Sequence, residues 1–326
     1  MQRRVGRLGL AHHGKQVLGV VQRRNQLNLR QQPGAAGQGV HAAQGRIILQ
    51  RKPHRIKHRN LLRCRAPCGL SLQHAPELGD GKVGRHLLQL ALDAGLRLVF
   101  DKHLGALQQG RLPIMLGGDH TLATGSISAV ARHCRAKGQR LRVLWLDAHS
   151  DCNTPDNSPS GNLHGMPVAS LCGLGPQALI EMSGAVPALP ASAFCQIGLR
   201  SVDMYEKHMI RELGLHVFDM RAIDELGMRE VMRRALADLG PNDHLHVSFD
   251  VDFLDPDIAP GTGTPVRGGP NYREAQLCME MMADTGRLGS LDIVELNPAL
   301  DLRNQTAELV VDLVQSLFGQ STLARE

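Results

Sequence analysis

The sequence predicts an α/β fold built around a parallel sheet. From Val83 onward, short apolar segments alternate with longer segments in which apolar residues recur at helical spacing. Residues 112–137 contain one complete unit, an apolar strand, a Gly117-Gly118 turn and a helical segment that begins at residue 121. Strands that alternate with helices pair in parallel, because each helix carries the chain back to the start of the next strand.

The other elements follow from the same periodicities. The first helical segment begins near Val83, and we expect it to break at Gly95 because glycine lowers helix stability. The polar stretch 153–167, with its Pro, Ser, Gly and Asn, predicts a surface loop after a strand, where parallel sheets bind ligands. The remaining predicted strands are 141–146, 193–199, 215–218, 244–249 and 288–295, and the remaining predicted helices are 204–213, 228–239, 272–285 and 306–318.

Charge divides the chain into two parts. Residues 1–100 hold 18 Lys and Arg against 3 Asp and Glu, a net charge of +15, whereas the remaining 19 basic and 28 acidic residues give residues 101–326 a net charge of −9. We therefore separate an atypical basic segment, residues 1–82, from a domain of residues 83–326. A nucleic-acid-binding arm and an Arg-rich targeting segment both fit the basic segment, but we interpret it as a disordered or non-native extension.

Composition also predicts the compartment. No run of about 18 apolar residues occurs, so we expect no membrane span. The 7 cysteines are odd in number and scattered, and no secretory segment opens the chain. These features favour reduced thiols and a cytoplasmic protein.

Three residues with metal-ligand chemistry follow one predicted strand. Asp147, His149 and Asp151 alternate directly after the apolar residues 143–146. Alternate side chains of an extended segment point the same way, so all three face one spot. Two carboxylates buried together are destabilising unless cations compensate their charge. The spacing therefore indicates a metal site.

Two other strand ends carry residues of the same kind. Asp250 and Asp252 alternate at the end of a predicted strand, and His120 follows a Gly-Gly turn that lets the backbone approach an ion. A single such aspartate is more often a turn former, but its repetition at separate strand ends favours ligands. Four carboxylates would be balanced by two divalent ions, and hard oxygens mixed with imidazoles suit Mn²⁺. A water molecule between two such ions would lose a proton near neutral pH and become a nucleophile.

The segments that hold these residues resemble the arginase family of binuclear manganese ureohydrolases. The matching motifs are Gly117-Gly118-Asp119-His120, Asp147-Ala148-His149-Ser150-Asp151 and Ser248-Phe249-Asp250-Val251-Asp252-Phe253-Leu254-Asp255-Pro256, within a resemblance that covers residues 104–319. The resemblance implies a three-layer α/β/α sandwich with a mainly parallel central sheet, and a homo-oligomer, either a trimer or a hexamer. It also implies two Mn²⁺ per subunit, with the ligands His120, Asp147, His149, Asp151, Asp250 and Asp252.

Within the family, the loop after the second motif resembles arginases rather than agmatinases. It matches at Asn153-Thr154-Pro155 and at residues 160–165. Asn153 and Ser160 can donate hydrogen bonds to the α-carboxylate that arginine has and agmatine lacks. The resemblance implies that the other substrate contacts are Asp203 and Glu206 near the α-amino group, Thr264 beside the site, and Glu295 at the guanidinium.

The implied reaction converts L-arginine to L-ornithine and urea. A hydroxide that bridges the two ions attacks the guanidinium carbon, and Asp151 passes a proton to the departing amine. By the same resemblance, His164 shuttles protons from a mobile loop, and an unshifted pKa of about 6.5 suits this role.

Two departures from the family pattern leave alternatives open. Ser201 stands where an aspartate is common, and the Gly-Ala-Pro-like and Gly-Val-x-x-Gly-Pro-like segments that open family members are absent. This absence, together with the change of net charge from +15 to −9, is the reason for interpreting residues 1–82 as non-native. One alternative is a ureohydrolase that acts on agmatine or another guanidino compound. The other is an inactive homologue whose basic amino-terminal segment binds nucleic acid, although we expect neither nucleic acid nor membrane as a partner.

Overall fold

The computed structural model describes residues 81–323, with side chains from residue 92 onward. The interpretation of residues 1–82 lies outside this range except for the last two residues, so it stays a prediction. The predicted domain boundary at residue 83 likewise stays a prediction.

Six strands and nine helices make up the described residues. The strands are β1 (Ile114–Leu116), β2 (Leu141–Leu146), β3 (Phe194–Leu199), β4 (His216–Asp219), β5 (His244–Asp250) and β6 (Leu288–Val294). The α-helices are α1 (Gly81–Gln108), α2 (Ala123–Lys137), α3 (Pro167–Leu171), α4 (Gln177–Ile180), α5 (Met204–Leu213), α6 (Met220–Leu226), α7 (Met228–Ala235), α8 (Tyr272–Asp284) and α9 (Gln305–Leu317). Short 3-10 turns at His120–Leu122, Leu163–Gly165, Ala191–Ala193 and Val251–Phe253 complete the set.

The strands form one sheet in the order β1-β6-β5-β2-β3-β4, and every neighbouring pair is parallel. The predicted parallel sheet is confirmed. Leu146 pairs with Phe249, and Phe249 pairs with Ile293, so β2, β5 and β6 end at the same level. The residues that follow these strands therefore meet at one edge of the sheet.

The alternation of side chains along β2 separates two layers of helices. Leu144 and Leu146 pack with α6, α7, α8 and α9. Val143 and Trp145, on the opposite face, pack with α2 and α3. Helices therefore cover both faces of the sheet, which confirms the three-layer sandwich.

The prediction that the first helix breaks at Gly95 is wrong, because α1 is continuous over 28 residues. One interior glycine lowers helix stability by only about 1 kcal/mol relative to alanine. Leu96 and Phe100 of the same helix are buried in a cluster with Ala129 of α2. Burial of these side chains stabilises the helix by more than the glycine destabilises it.

Several predicted boundaries also shift. Strand β1 begins at Ile114 rather than at residue 112, because Pro113 lacks the N–H that a ladder needs. Helix α7 ends at Ala235, four residues before the predicted end, and the short helices α3, α4 and α6 were not predicted. None of the helices within residues 81–323 is long and apolar enough to cross a lipid bilayer.

Candidate metal centre and active site

The three predicted strand ends converge. Asp147 follows β2, Asp250 ends β5, and His120 opens the 3-10 turn that follows β1. The structure brings all six predicted ligands to one place. Five of them form two groups of three that share Asp147, and the sixth, Asp250, lies beside His120. We call His120, Asp147 and Asp151 the inner trio, and Asp147, His149 and Asp252 the outer trio.

The inner trio is buried. Nδ1 of His120 lies 3.0 Å from Oδ2 of Asp147 and 3.3 Å from Oδ2 of Asp151. Oδ2 of Asp250, which belongs to neither trio, lies 3.1 Å from the same nitrogen. Although three carboxylate oxygens surround this buried nitrogen, it makes no hydrogen bond with any of them. The arrangement fits a shared cation better than a set of hydrogen bonds.

The outer trio is more open. Nδ1 of His149 lies 3.1 Å from Oδ2 of Asp252 and 3.5 Å from Oδ1 of Asp147. The His149 side chain is 26% exposed, whereas those of Asp147 and Asp252 are buried. Asp147 therefore presents one oxygen to each trio.

Each of three aspartates uses one oxygen to shape the backbone. Oδ1 of Asp147 accepts from the N–H of His149 at 2.7 Å, and Oδ1 of Asp250 accepts from the N–H of Asp252 at 2.8 Å. Oδ1 of Asp252 accepts from the N–H of Ala148 at 3.1 Å, which ties the end of β5 to the end of β2. These residues are turn formers and candidate ligands at once.

Two residues that the sequence analysis missed orient the inner trio. Nε2 of His120 is 2.8 Å from Oγ of Ser248, and its ring stacks on Trp145 at 3.9 Å between centroids. Nε1 of Trp145 donates to Oδ2 of Asp147 at 2.9 Å. Partners of this kind fix the ring and the carboxylate that face an ion. Each lies two residues before an aspartate on the same strand face, and this spacing was the available signal.

Electrostatics supports the binding of cations. Burial alone would lower the pKa of His149, but the carboxylates of Asp147 and Asp252 raise it to about 12. Burial and the charge of Asp147 raise the pKa of Asp151, and burial and the charge of Asp252 raise that of Asp250. The cluster therefore takes up protons when no other positive charge is near. Two divalent ions would replace these protons, so the donor set fits a binuclear centre.

A cavity of about 270 Å³ opens onto this centre. Its wall includes every residue predicted to contact the substrate, as well as four of the six predicted ligands. Asp147 and Asp252 do not line it. The lining residues are His120, His149, Asp151, Asn153, Pro159, Ser160, His164, Gly165, Ser201, Asp203, Glu206, Asp250, Thr264 and Glu295.

One side of the cavity is built on the start of α5. Oδ1 of Asp203 caps this helix by accepting from the N–H groups of Tyr205 and Glu206 at 2.7 and 2.9 Å. Its Oδ2 accepts from Nδ2 of Asn153 at 2.8 Å. Asn153 thus uses one amide hydrogen within the protein, and its buried Oδ1 has no hydrogen-bond partner among residues 92–323.

Two candidate residues contact the metal ligands directly. Oγ1 of Thr264 donates to Oδ2 of Asp252 at 3.0 Å. Oε1 of Glu295 accepts from the N–H of His120 at 3.0 Å, and burial raises the pKa of Glu295 to about 7. The backbone of Glu295 is left-handed with φ 62°, and that of Asp151 is left-handed with φ 52°.

The prediction of an unshifted pKa for His164 is wrong. His164 lies in the 3-10 turn Leu163–Gly165, and burial of its half-buried ring lowers the pKa below 6.5. The neutral imidazole is therefore favoured at neutral pH. Ser160 lies at the exposed rim of the same loop, where its Oγ accepts from the N–H of Asn162 at 3.2 Å.

A separate buried polar group lies on β5 and β6. Nε2 of His246 is 3.3 Å from Oδ2 of Asp292, and Nε2 of His103 is 3.7 Å from Oδ1 of the same carboxylate. Ser290 links Nδ1 of His246 at 2.8 Å with Nε2 of His244 at 2.9 Å. The long sequence separation of these residues hid the group from sequence analysis.

Comparison with known proteins agrees with this geometry. A sequence model of the Arginase family matches residues 75–319. The arginase of Bacillus caldovelox is 47% identical over 217 residues, which are 66% of this chain and 71% of that protein. The arginase of Bacillus subtilis (strain 168) is 37% identical over 295 residues, 88% of this chain and 97% of that protein.

Solved structures extend the agreement to the fold. The crystal structure of arginase from Bacillus subtilis matches with a TM-score of 0.68 at 42% identity, over 71% of this chain and 81% of that chain. The family match includes all three ligand motifs and the whole described sheet. The chain therefore belongs to the arginase family, and it is a ureohydrolase with a binuclear metal site.

Proposed function

We propose that this protein hydrolyses L-arginine to L-ornithine and urea with two Mn²⁺ per subunit. The observation that carries the proposal is the pair of trios that share Asp147 beneath a cavity of about 270 Å³. The similarity to arginases over the same residues favours arginine as the substrate.

Manganese suits the proposed ligand set. The set combines the carboxylates of Asp147, Asp151, Asp250 and Asp252 with the imidazoles of His120 and His149. The set contains no cysteine. The buried Sγ of the neighbouring Cys152 instead accepts a hydrogen bond from Oγ of Ser150 at 3.1 Å. Oxygen and imidazole donors without thiolate favour Mn²⁺ over metals that prefer sulfur.

The proposed contacts match the charges of arginine. Glu295 would face the guanidinium near the centre, since a carboxylate pairs strongly with a planar guanidinium. Asp203 and Glu206, at the start of α5, would accept from the α-amino group, and Thr264 would hold Asp252 in place. Asn153 and Ser160 would take the α-carboxylate, with the remaining amide hydrogen of Asn153 as a donor.

Proton transfer is proposed for two residues of the cavity wall. When bound, the divalent ions would lower the pKa of water so that it attacks the guanidinium carbon near neutral pH. Asp151, at the boundary between the inner trio and the cavity, would carry a proton to the departing amine. His164 would exchange protons with solvent from the rim, and its lowered pKa makes it an acceptor at neutral pH.

We further propose a cytoplasmic homo-oligomer, either a trimer or a hexamer. The five cysteines of the described part are free thiols, which supports a reducing compartment. Leu300, Leu302 and Val311 are large apolar side chains exposed near the start of α9 and offer contacts between subunits. Light scattering of the full chain would test the oligomer, and a monomer at micromolar concentration would contradict it.

A urea assay on the metal-depleted full chain tests the proposed reaction. Addition of Mn²⁺ is expected to restore urea release from L-arginine, with little release from agmatine. Faster turnover of agmatine or of a guanidino acid would reassign the substrate. Absence of urea together with salt-sensitive binding of DNA or RNA would instead support the nucleic-acid-binding alternative.

A further inference from the structure

Arg200, which follows β3, points its guanidinium at the backbone rather than at another side chain. Nη1 donates to the carbonyls of Gly198 and Phe253, each at 3.1 Å. Nη2 donates to the carbonyls of Asp252 at 2.6 Å, Leu254 at 3.2 Å and Val266 at 2.8 Å, and Nε donates to Val266 at 3.1 Å. Every nitrogen of the planar fork is engaged with a carbonyl.

The bonded segments are those that hold the outer trio. Asp252 is itself a member, and the loop that contains Val266 also carries Thr264, which donates to Oδ2 of Asp252. The N–H of Arg200 donates to the carbonyl of Ala148 at 2.9 Å, between Asp147 and His149. Arg200 therefore connects the ends of β2, β3 and β5 with the loop that follows β5.

The surrounding backbone leaves room for this side chain and for little else. A Cβ at Gly269 would lie 2.6 Å from Nη2 of Arg200 and 2.7 Å from the N–H nitrogen of Asp255. Oδ2 of Asp255 accepts from the N–H groups of Gly268 at 2.7 Å and Gly269 at 3.0 Å, which holds the loop against the guanidinium. The carbonyl groups and the Gly268-Gly269 backbone therefore form a site that fits a planar guanidinium.

The inner trio has no comparable connection to Arg200. His120 is held by Ser248 and Trp145, and none of the six guanidinium hydrogen bonds reaches the segments of His120 or Asp151. A defect at Arg200 is therefore transmitted to Asp252 and its loop first. Through its guanidinium, Arg200 therefore contacts only segments on the side of the outer trio.

We infer that Arg200 is a positioning residue that sets the geometry and the affinity of the metal position at the outer trio. The inference rests on the proposed binding of two ions. Arg200 touches no ion and no substrate, and it acts through the backbone of Asp252 and through the loop that carries Thr264.

Titration of the metal-depleted full chain with Mn²⁺ tests the inference. In the unchanged protein we expect two bound ions and the electron paramagnetic resonance spectrum of a spin-coupled pair. Arg200→Lys keeps the positive charge but loses the fork. One binding step should weaken by about 10- to 100-fold, as for other partners behind a metal ligand, while the other step stays unchanged. At two equivalents of Mn²⁺, the electron paramagnetic resonance spectrum of the variant should contain a signal from manganese that is not spin-coupled.

Arg135→Lys is the matched control. Nη1 of Arg135 donates to the carbonyl of Ala188 at 2.9 Å and Nη2 to that of Ser183 at 2.6 Å, away from the centre. Loss of this fork should leave both binding steps and the coupled spectrum unchanged. Gly269→Ala is a second route to the same defect, because its methyl group displaces the Arg200 guanidinium while Arg200 itself is retained.

The outcomes separate the inference from the proposed function. Equal weakening of both steps in Arg200→Lys, or two unchanged steps, would overturn the positioning role. If Arg200→Lys does not fold, two unchanged binding steps in Gly269→Ala overturn it as well. Failure of the unchanged protein to bind two ions would instead reject the binuclear proposal.

Discussion

The inner and outer trios contain the same shared aspartate but are stabilised in different ways. The inner trio lies in the core, where Trp145 stacks on His120 and Ser248 fixes the far side of its ring. In the outer trio, His149 is partly exposed, and Asp252 is held by hydrogen bonds from Oγ1 of Thr264 to its carboxylate and from Nη2 of Arg200 to its carbonyl. Buried side chains of the sheet therefore position the inner trio, and hydrogen bonds from Arg200 and the loop after β5 position the outer trio.

This difference predicts different behaviour of the two metal positions. A position enclosed by core side chains resists local opening, whereas a position held by loop contacts opens more readily. We expect the outer position to exchange its ion faster and to respond to substitutions in loops. The inner position should respond to substitutions within the sheet.

The largest effect is expected where the two trios meet. Asp147→Asn removes a charged oxygen from both trios and weakens the binding of both ions. Loss of activity should exceed about 100-fold, the upper end for residues that only support a ligand. Metal analysis after gel filtration, alongside the urea assay, measures both effects. Retention of one tightly bound ion would mean that Asp147 serves a single position.

Substitution of Trp145 separates the trios on the core side. Trp145→Phe keeps an aromatic ring against His120 but removes the Nε1 donor to Oδ2 of Asp147. We expect the inner position to lose about 10-fold in Mn²⁺ affinity, with a smaller change at the outer position. Calorimetric titration resolves the two steps. A larger loss of Mn²⁺ affinity at the outer position would contradict the assignment of Trp145 to the inner position.

Substitution of Thr264 separates them on the loop side. Thr264→Val removes one hydrogen bond to Asp252, a contribution of about 1 kcal/mol that corresponds to roughly a 5-fold loss of affinity at the outer position. Thr262→Val is the matched control, because the buried Oγ1 of Thr262 has no hydrogen-bond partner within the described side chains. Similar losses in both variants would indicate a general effect of the loop.

The smallest effect on the centre is expected from His244, at the opposite end of β5 from Asp250. Burial lowers the pKa of His244 to about 4, from 6.5. At this residue the unfolded chain therefore binds more protons than the folded protein between these pH values. The His244 contribution to the free energy of unfolding should fall by up to about 1.4 kcal/mol per pH unit as the pH drops through this range, and it is fully present above pH 6.5.

Urea unfolding of the metal-free protein at several pH values measures this slope. His244→Gln should remove the His244 contribution from the slope while both Mn²⁺ affinities at neutral pH stay the same. An unchanged slope in the variant would assign the acid sensitivity to other groups. A change in metal affinity would show that the two ends of β5 are coupled.

The parts of the site that are local in sequence were predictable. Asp147, His149 and Asp151 converge on one centre as predicted, but not through an extended segment, because β2 ends at Leu146, the chain bends at residues 148–149 and Asp151 is left-handed. Trp145 and Ser248 each lie two residues before an aspartate, but tryptophan and serine have no chemistry that distinguishes a supporting residue from a packed one. Their role became visible only from distances to His120 and Asp147.

Other features depend on contacts between distant segments. Arg200 acts through carbonyls more than fifty residues away, and a carbonyl is present at every position, so no side-chain pattern marks its partners. The shifted pKa of His164 depends on burial in the folded protein. The uninterrupted course of α1 through Gly95 depends on packing that the local glycine rule does not include.

Two carboxylates of the cavity occupy backbone conformations that most side chains avoid. Asp151 and Glu295 are left-handed, where a residue other than glycine costs roughly 1–2 kcal/mol. The rest of the domain must tolerate this penalty, and glycine at either position would relieve it. An acid at both positions therefore serves the proposed chemistry at the expense of backbone stability. Substitution of either residue by glycine would stabilise the chain and impair the enzyme.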